Sequence, residues 1–89
     1  MTGAGSAVPA TVTVRYFAGA RAAAGVESES REAATLAELL AQVAETHGEA
    51  LGRVLAACSF LVDGASTRDR SVALSPGAVV DVLPPFAGG

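Results

Sequence analysis

The chain has no lysine and no tryptophan, and one cysteine and one histidine among its 89 residues. Without lysine there is no ε-amine for Schiff-base chemistry or for conjugating the chain to itself. The single cysteine, Cys58, excludes an intramolecular disulfide. It follows Ala56-Ala57 and precedes an apolar run, so it reads as a buried, inert thiol. His47 has no Cys, Asp or second His at ligand spacing and reads as a structural or exposed histidine, so no metal site is expected. Positive charge is scarce: six arginines face nine acidic residues, for a net charge of −3, and no basic cluster forms. That argues against nucleic-acid or anionic-membrane partners. No apolar run reaches membrane-spanning length. Residues 1–10 carry neither the basic start nor the hydrophobic stretch of a signal peptide; they read as a disordered leader, with the cytoplasm as the default location.

The length allows one domain. With aromatics at 4% and 20 alanines, the core must rest mainly on Val and Leu. Thr11 to Phe17 alternates strictly, setting Val12, Val14 and Tyr16 on one face and Thr13, Arg15 and Phe17 on the other. Ala18 to Gly25 is an Ala/Gly connection with room for one helical turn. Val26 to Arg31 reads as a polar edge strand, with Glu27, Glu29 and Arg31 on one side. Thr35 and Glu38 form a capping box ahead of Leu36, Leu39, Leu40 and Val43 at helical spacing, and Gly48 sits where a left-handed C-terminal cap belongs. Leu51, Val54 and Leu55 mark a short second helix or turn. Phe60 to Val62 is a short strand ended by Asp63-Gly64; Ala65 to Arg70 is a polar loop; Val72 and Leu74 mark one more short strand. Ser75-Pro76-Gly77 is a turn of type II order. The last strand, Ala78 to Leu83, puts Val80 and Val82 inward and Val79, Asp81 and Leu83 outward.

This order suits an α+β fold: a ubiquitin-like β-grasp, one mixed sheet packed on one main helix, with the first and last strands parallel at its centre. The division is a leader over 1–10, a β-grasp domain over 11–83 and a flexible functional tail over 84–89. The strand parities carry a second expectation. Phe17, Leu61, Val79 and Leu83 fall on the sheet face away from the helix, where an apolar cluster marks a partner-binding site.

The sequence closes with Leu83-Pro84-Pro85-Phe86-Ala87-Gly88-Gly89. Two prolines remove two N–H donors, so the sheet cannot continue through them. Two glycines without Cβ atoms can lie extended in a channel too narrow for other residues. A protein that presents its C-terminal carboxylate as a chemical group would have this form, and no other nucleophile–base pair is apparent.

The segments Val14-Arg15-Tyr16-Phe17-Ala18-Gly19-Ala20-Arg21 and Pro84-Pro85-Phe86-Ala87-Gly88-Gly89 resemble the MoaD/ThiS family of ubiquitin-like sulfur carriers, and within it the molybdopterin synthase small subunits. The likeness spans Thr11 to Gly89. It implies that a ubiquitin-activating-type adenylyltransferase binds the body and threads the tail into its ATP site. The Gly89 carboxylate would then be adenylated and converted by a sulfur donor to a thiocarboxylate. Donation to the pterin precursor of the molybdenum cofactor would follow inside the molybdopterin synthase large subunit. The chain would hold no cofactor of its own and would not be an enzyme alone; ATP is used by the activating partner. Gly88, Ala87 and Phe86 would give the tail clearance, while Phe17, Leu61, Leu83, Pro84 and Pro85 would contact partners. Three positions depart from the family's habit: Ala78 replaces an acidic residue after the turn, Phe86 an aliphatic one, and Asp63 an Asn. They leave the carrier role intact and open which pathway it serves, with thiamine thiazole, cysteine and tRNA thiolation as alternatives; a protein modifier joined through Gly89 and a binding module with an inert tail stand as separate readings.

Overall fold

A computed structural model of the chain describes residues 8–85. Strand β1 (Ala10–Tyr16) is followed by α1 (Ala18–Ala24), β2 (Ser28–Ala33), α2 (Leu36–His47), α3 (Glu49–Ala57), β3 (Ser59–Val62), β4 (Ala65–Thr67) and β5 (Val79–Leu83). The five strands form one sheet in the order β2-β1-β5-β3-β4, with β1 and β5 parallel and every other pair antiparallel. This is the expected β-grasp, with the first and last strands side by side at the centre.

Alternation builds the core. Val12, Val14 and Tyr16 of β1, Phe60 of β3 and Val80 and Val82 of β5 face the helices, each 2% exposed or less. They meet Leu36, Leu39, Leu40 and Val43 of α2, Leu51 and Leu55 of α3, and Ala20 and Ala24 of α1 in one cluster. Helix α2 starts on a variant of the capping box: the Glu38 N–H donates to Thr35 Oγ1 at 3.2 Å, and Glu38 Oε1 reaches one residue past the cap to accept from the Ala34 N–H at 2.5 Å.

Several segments differ from expectation. The Ala/Gly connection is a full helix, α1, because Ala20 and Ala24 pack flat on the core and Gly25 closes the end at φ 79°. The second helix is nine residues long and shares the core with α2, so the sheet packs on more than one helix. The edge strand runs from Ser28 to Ala33, later than expected. The polar stretch after Gly64 contains β4, because the Asp63-Gly64 turn folds Ala65–Thr67 back along β3. The strand expected at Val72 and Leu74 shrinks to one antiparallel bridge, Thr35 to Ala73, against the lead-in to α2. Leu74 is buried there all the same. Gly48 is no left-handed cap: at φ 98° and ψ −178° it adopts a conformation open essentially to glycine alone, and it joins α2 directly to α3. Gly77, at φ 84°, forms the turn into β5, and the Ala78 N–H donates to the Ser75 carbonyl at 3.0 Å.

The edge strand also closes the core with charge. Glu29 pairs with Val14 across the ladder and so shares its inward face. Its carboxylate accepts from the Tyr16 hydroxyl at 2.6 Å and from Arg31 Nη2 at 2.9 Å, and meets His47 Nε2 at 2.6 Å. The Tyr16 and His47 rings meet edge to face. His47 is therefore structural. Burial alone would raise the Glu29 pKa, but the hydrogen bonds from Tyr16, His47 and Arg31 and the Arg31 charge outweigh it and hold it below the usual carboxylate range. Burial, and then the Glu29 hydrogen bond and charge, push the Tyr16 hydroxyl upward. A depressed folded-state pKa means this contribution is complete above the unfolded value, about 4.3, and is lost as pH falls through the folded value. Glu29→Gln is expected to cost roughly 1–3 kcal/mol at neutral pH and to flatten the acid limb of stability, read from urea melts between neutral and acidic pH.

Candidate docking face and tail exit

The functional residues inferred from sequence converge where β1, β5 and β3 lie side by side. Phe17 follows β1 directly; its N–H donates to the Val82 carbonyl at 3.3 Å, and the residue is 40% exposed. The parallel register Tyr16 to Val82 carries Phe17 alongside Leu83, and Leu83 pairs in turn with Ser59 of β3. Leu61 pairs with Asp81, one step diagonal from Leu83 on the same face. Leu61, Val79 and Leu83 are half-buried. The helices cover only the other side of the sheet, so these side chains form one face with nothing packed over it among the described residues.

The middle of that face is charged, which sequence reasoning missed. Arg15 and Asp81 are partners in the parallel ladder. Arg15 donates from Nε to Asp81 Oδ1 at 2.6 Å and from Nη2 to Oδ2 at 3.0 Å. Their shared outward parity was legible in the sequence, but the one-to-one register was not, and register decides the pair.

Asp63 explains one of the family departures. It sits at φ 50°, a conformation Asp tolerates better than most residues. Its Oδ1 accepts from the Val79 N–H at 2.8 Å and its own N–H donates to the Val79 carbonyl at 2.8 Å. An Asn side-chain carbonyl would accept the same bond, so this turn tolerates either residue.

After Leu83 the ladder stops. Pro84 is half-buried and Pro85 exposed, and neither has an N–H to extend a strand. Phe86, Ala87, Gly88 and Gly89 lie outside the described residues. Leu83 pairs with Ser59 at the start of β3, and Cys58, Ser59, Phe60, Ser66, Thr67, Arg68 and Arg70 line a cavity of about 360 Å³. Cys58 Sγ donates to the Val54 carbonyl at 3.1 Å. Burial pushes its thiol pKa up, with Arg70 partly opposing, so the reactive thiolate is depleted. Cys58→Ser is expected to leave tail chemistry unchanged, and Cys58 in the folded chain should alkylate well below the rate of an unfolded control. Among the described residues, no group of three or more His, Cys, Asp or Glu could hold a metal ion, and no helix is long and apolar enough to cross a membrane.

A mixed five-stranded β-grasp with an open central face and a strand that runs out into a Pro-Pro exit has the build of a ubiquitin-like carrier. The chain belongs to the ThiS family, whose model matches residues 14–89. Solved structures agree. The putative molybdopterin converting factor subunit 1 from Pyrococcus furiosus is 28% identical, with a TM-score of 0.76 over 86% of this chain and 99% of that one. In the complex of subunits 1 and 2 of molybdopterin-converting factor from Helicobacter pylori, the matching chain is 29% identical, with a TM-score of 0.70 over 89% of this chain and 99% of that one. The small archaeal modifier protein 1 from Methanosarcina acetivorans shares the fold at 22% identity, with a TM-score of 0.81 over 91% of this chain and 98% of that one. None of the curated proteins matches the chain.

Proposed function

We propose that this chain is the sulfur-carrying small subunit of a molybdopterin synthase and that Gly89 is its reacting residue. The observation that carries the reading is the Gly88-Gly89 end, inside the family match and led out of the central strand β5 by Pro84 and Pro85. A free carboxylate is a poor electrophile. Its attack on the α-phosphate of ATP, with loss of pyrophosphate, makes an acyl-adenylate. A persulfide sulfur displaces AMP, and cleavage of the resulting acyl disulfide by a thiol leaves the thiocarboxylate. No step needs a group on the body, which docks and positions the tail. On this reading the chain is a carrier and not an enzyme alone; it binds no cofactor, and ATP enters through the activating partner. The resemblance to the Pyrococcus and Helicobacter subunits supports the molybdopterin pathway. The likeness to a small archaeal modifier protein favours a second reading, conjugation through Gly89 to target lysines.

Intact mass of the protein isolated from its own cells tests the carrier step. The expected result is a species heavier by the exchange of one oxygen for sulfur at the C-terminus. Only the plain carboxylate, even after incubation with activating enzyme, ATP and a sulfur donor, would overturn it. Gly89 found in isopeptide linkage would favour the modifier. Formation of the pterin dithiolene by the thiocarboxylate form with a molybdopterin synthase large subunit would select the pathway.

A further inference from the structure

The carrier reading uses the apolar part of the open face and leaves the ion pair at its centre without a task. Asp81 lies between Arg15 and Leu61 in the sheet, and its side chain is only 11% exposed. Arg15 lies over it with 52% of its side chain exposed, so the face presents the cation outward and keeps the carboxylate beneath. The Arg15 Cζ lies 6.0 Å from the centre of the Phe17 ring.

A guanidinium has five N–H donors in a fixed plane. Two go to Asp81, which fixes that plane, and among the described residues the other three have no acceptor. Water serves them while the face is open. A partner that covers Phe17 and Leu83 removes that water, and a charged donor left unpaired in an interface is costly. The covering surface must therefore bring an acceptor. Arg15 opens onto a cavity of about 260 Å³ that it shares with Tyr16, Phe17, Arg21, Glu27 and Ser28. Arg21 adds a second guanidinium there, bound to the exposed Glu27 at 2.7 Å. A planar, pre-oriented guanidinium fork matches a carboxylate better than any other side chain.

Resting on the carrier reading, we propose that Arg15 is the partner-selecting residue of the docking face. It receives the carboxylate of an acidic side chain that the activating enzyme inserts beside Phe17. Asp81 is its positioning residue, holding the fork flat and aimed outward.

The test is ATP–pyrophosphate exchange by the adenylyltransferase encoded in the same genome, with the full chain as the varied substrate at several salt concentrations. Arg15→Leu/Asp81→Leu removes both charges together, a replacement that folded proteins often tolerate. Arg15→Asp/Asp81→Arg keeps an ion pair but moves the cation to the other strand. Both are expected to raise KM for the carrier about 10–100-fold, as for a lost charged hydrogen bond, with kcat unchanged. The Leu pair should also flatten the salt dependence of KM. Arg15→Lys keeps the charge without the fork and gives an intermediate rise, so the test survives a double variant that fails to fold. An unchanged KM for the Leu pair, or a wild-type KM for the swapped pair, overturns the proposal while the carrier reading stands. A wild-type chain inert with every adenylyltransferase of that genome overturns the carrier reading, and this inference with it.

Discussion

Deletion of Gly89 is expected to abolish thiocarboxylate formation and to leave the thermal midpoint where it was. The two halves of this result have separate causes. The hydrophobic cluster reaches no further along the described chain than Val82, and glycine has no side chain to add to it, so the core side chains are all kept. The same deletion moves the terminal carboxylate back by one residue, about 3.3 Å of extended chain, which takes the reacting carbon out of reach of a fixed nucleotide. Gly88→Val should be nearly as damaging, because it puts a branched Cβ beside that carbon. A misplacement near 1 Å already costs on the order of a hundredfold. The readout is intact mass after incubation with activating enzyme, ATP and sulfur donor, beside a thermal melt. The same spectra report whether the mature chain ends at Gly89. A deletion variant that still gains sulfur would remove Gly89 from the mechanism.

The second large effect concerns the open face. Phe17→Ala/Leu83→Ala is expected to weaken binding to the activating enzyme about 10–100-fold, since full burial of such a side chain is worth ~1.5–3 kcal/mol and a partner can bury only the part still exposed. In the free protein Phe17 is 40% exposed and Leu83 half-buried, so the stability loss should stay within roughly 1.5–3 kcal/mol, at about 4–8 °C in Tm for each kcal/mol. Titration calorimetry with the activating enzyme and a thermal melt separate the two. If the pair unfolds the protein instead, these side chains belong to the core and the docking face is misassigned. Alanine is preferred to a charged replacement because Arg15 and Asp81 stand next to both sites, and a new charge would report on that pair.

Much of this was legible in the residues. Alternation in β1 and β5 has a period of two, and it placed Val12, Val14, Val80 and Val82 inward and Phe17 and Leu83 outward without any knowledge of the neighbours. The Thr35/Glu38 box announced α2 because its hydrogen bonds are local. Where the reading failed, the cause was not local. Ala18–Ala24 became a helix through packing that an Ala-rich segment does not advertise, since alanine favours helix everywhere in this chain. Residues 65–67 became a strand because β3 offered an edge, not because Ala65-Ser66-Thr67 favours one. Glu29 was only one charge on one side of a polar edge strand until the ladder set it opposite Val14 and within reach of Tyr16 and His47.

The sequence by itself determined the β-grasp pattern of strands and capped helix, the outward parity of Phe17, Leu61 and Leu83, and the narrow Gly-Gly end behind two prolines. These depend on periodicity, hydrogen bonds within a few residues and the shapes of single side chains. The tertiary structure alone decided that Arg15 meets Asp81 across 66 residues of chain, that His47 closes on Glu29 across 18, and that a cation stands in the middle of the open sheet face. Each of those depends on strand register and helix placement, which follow from the packing of the whole core.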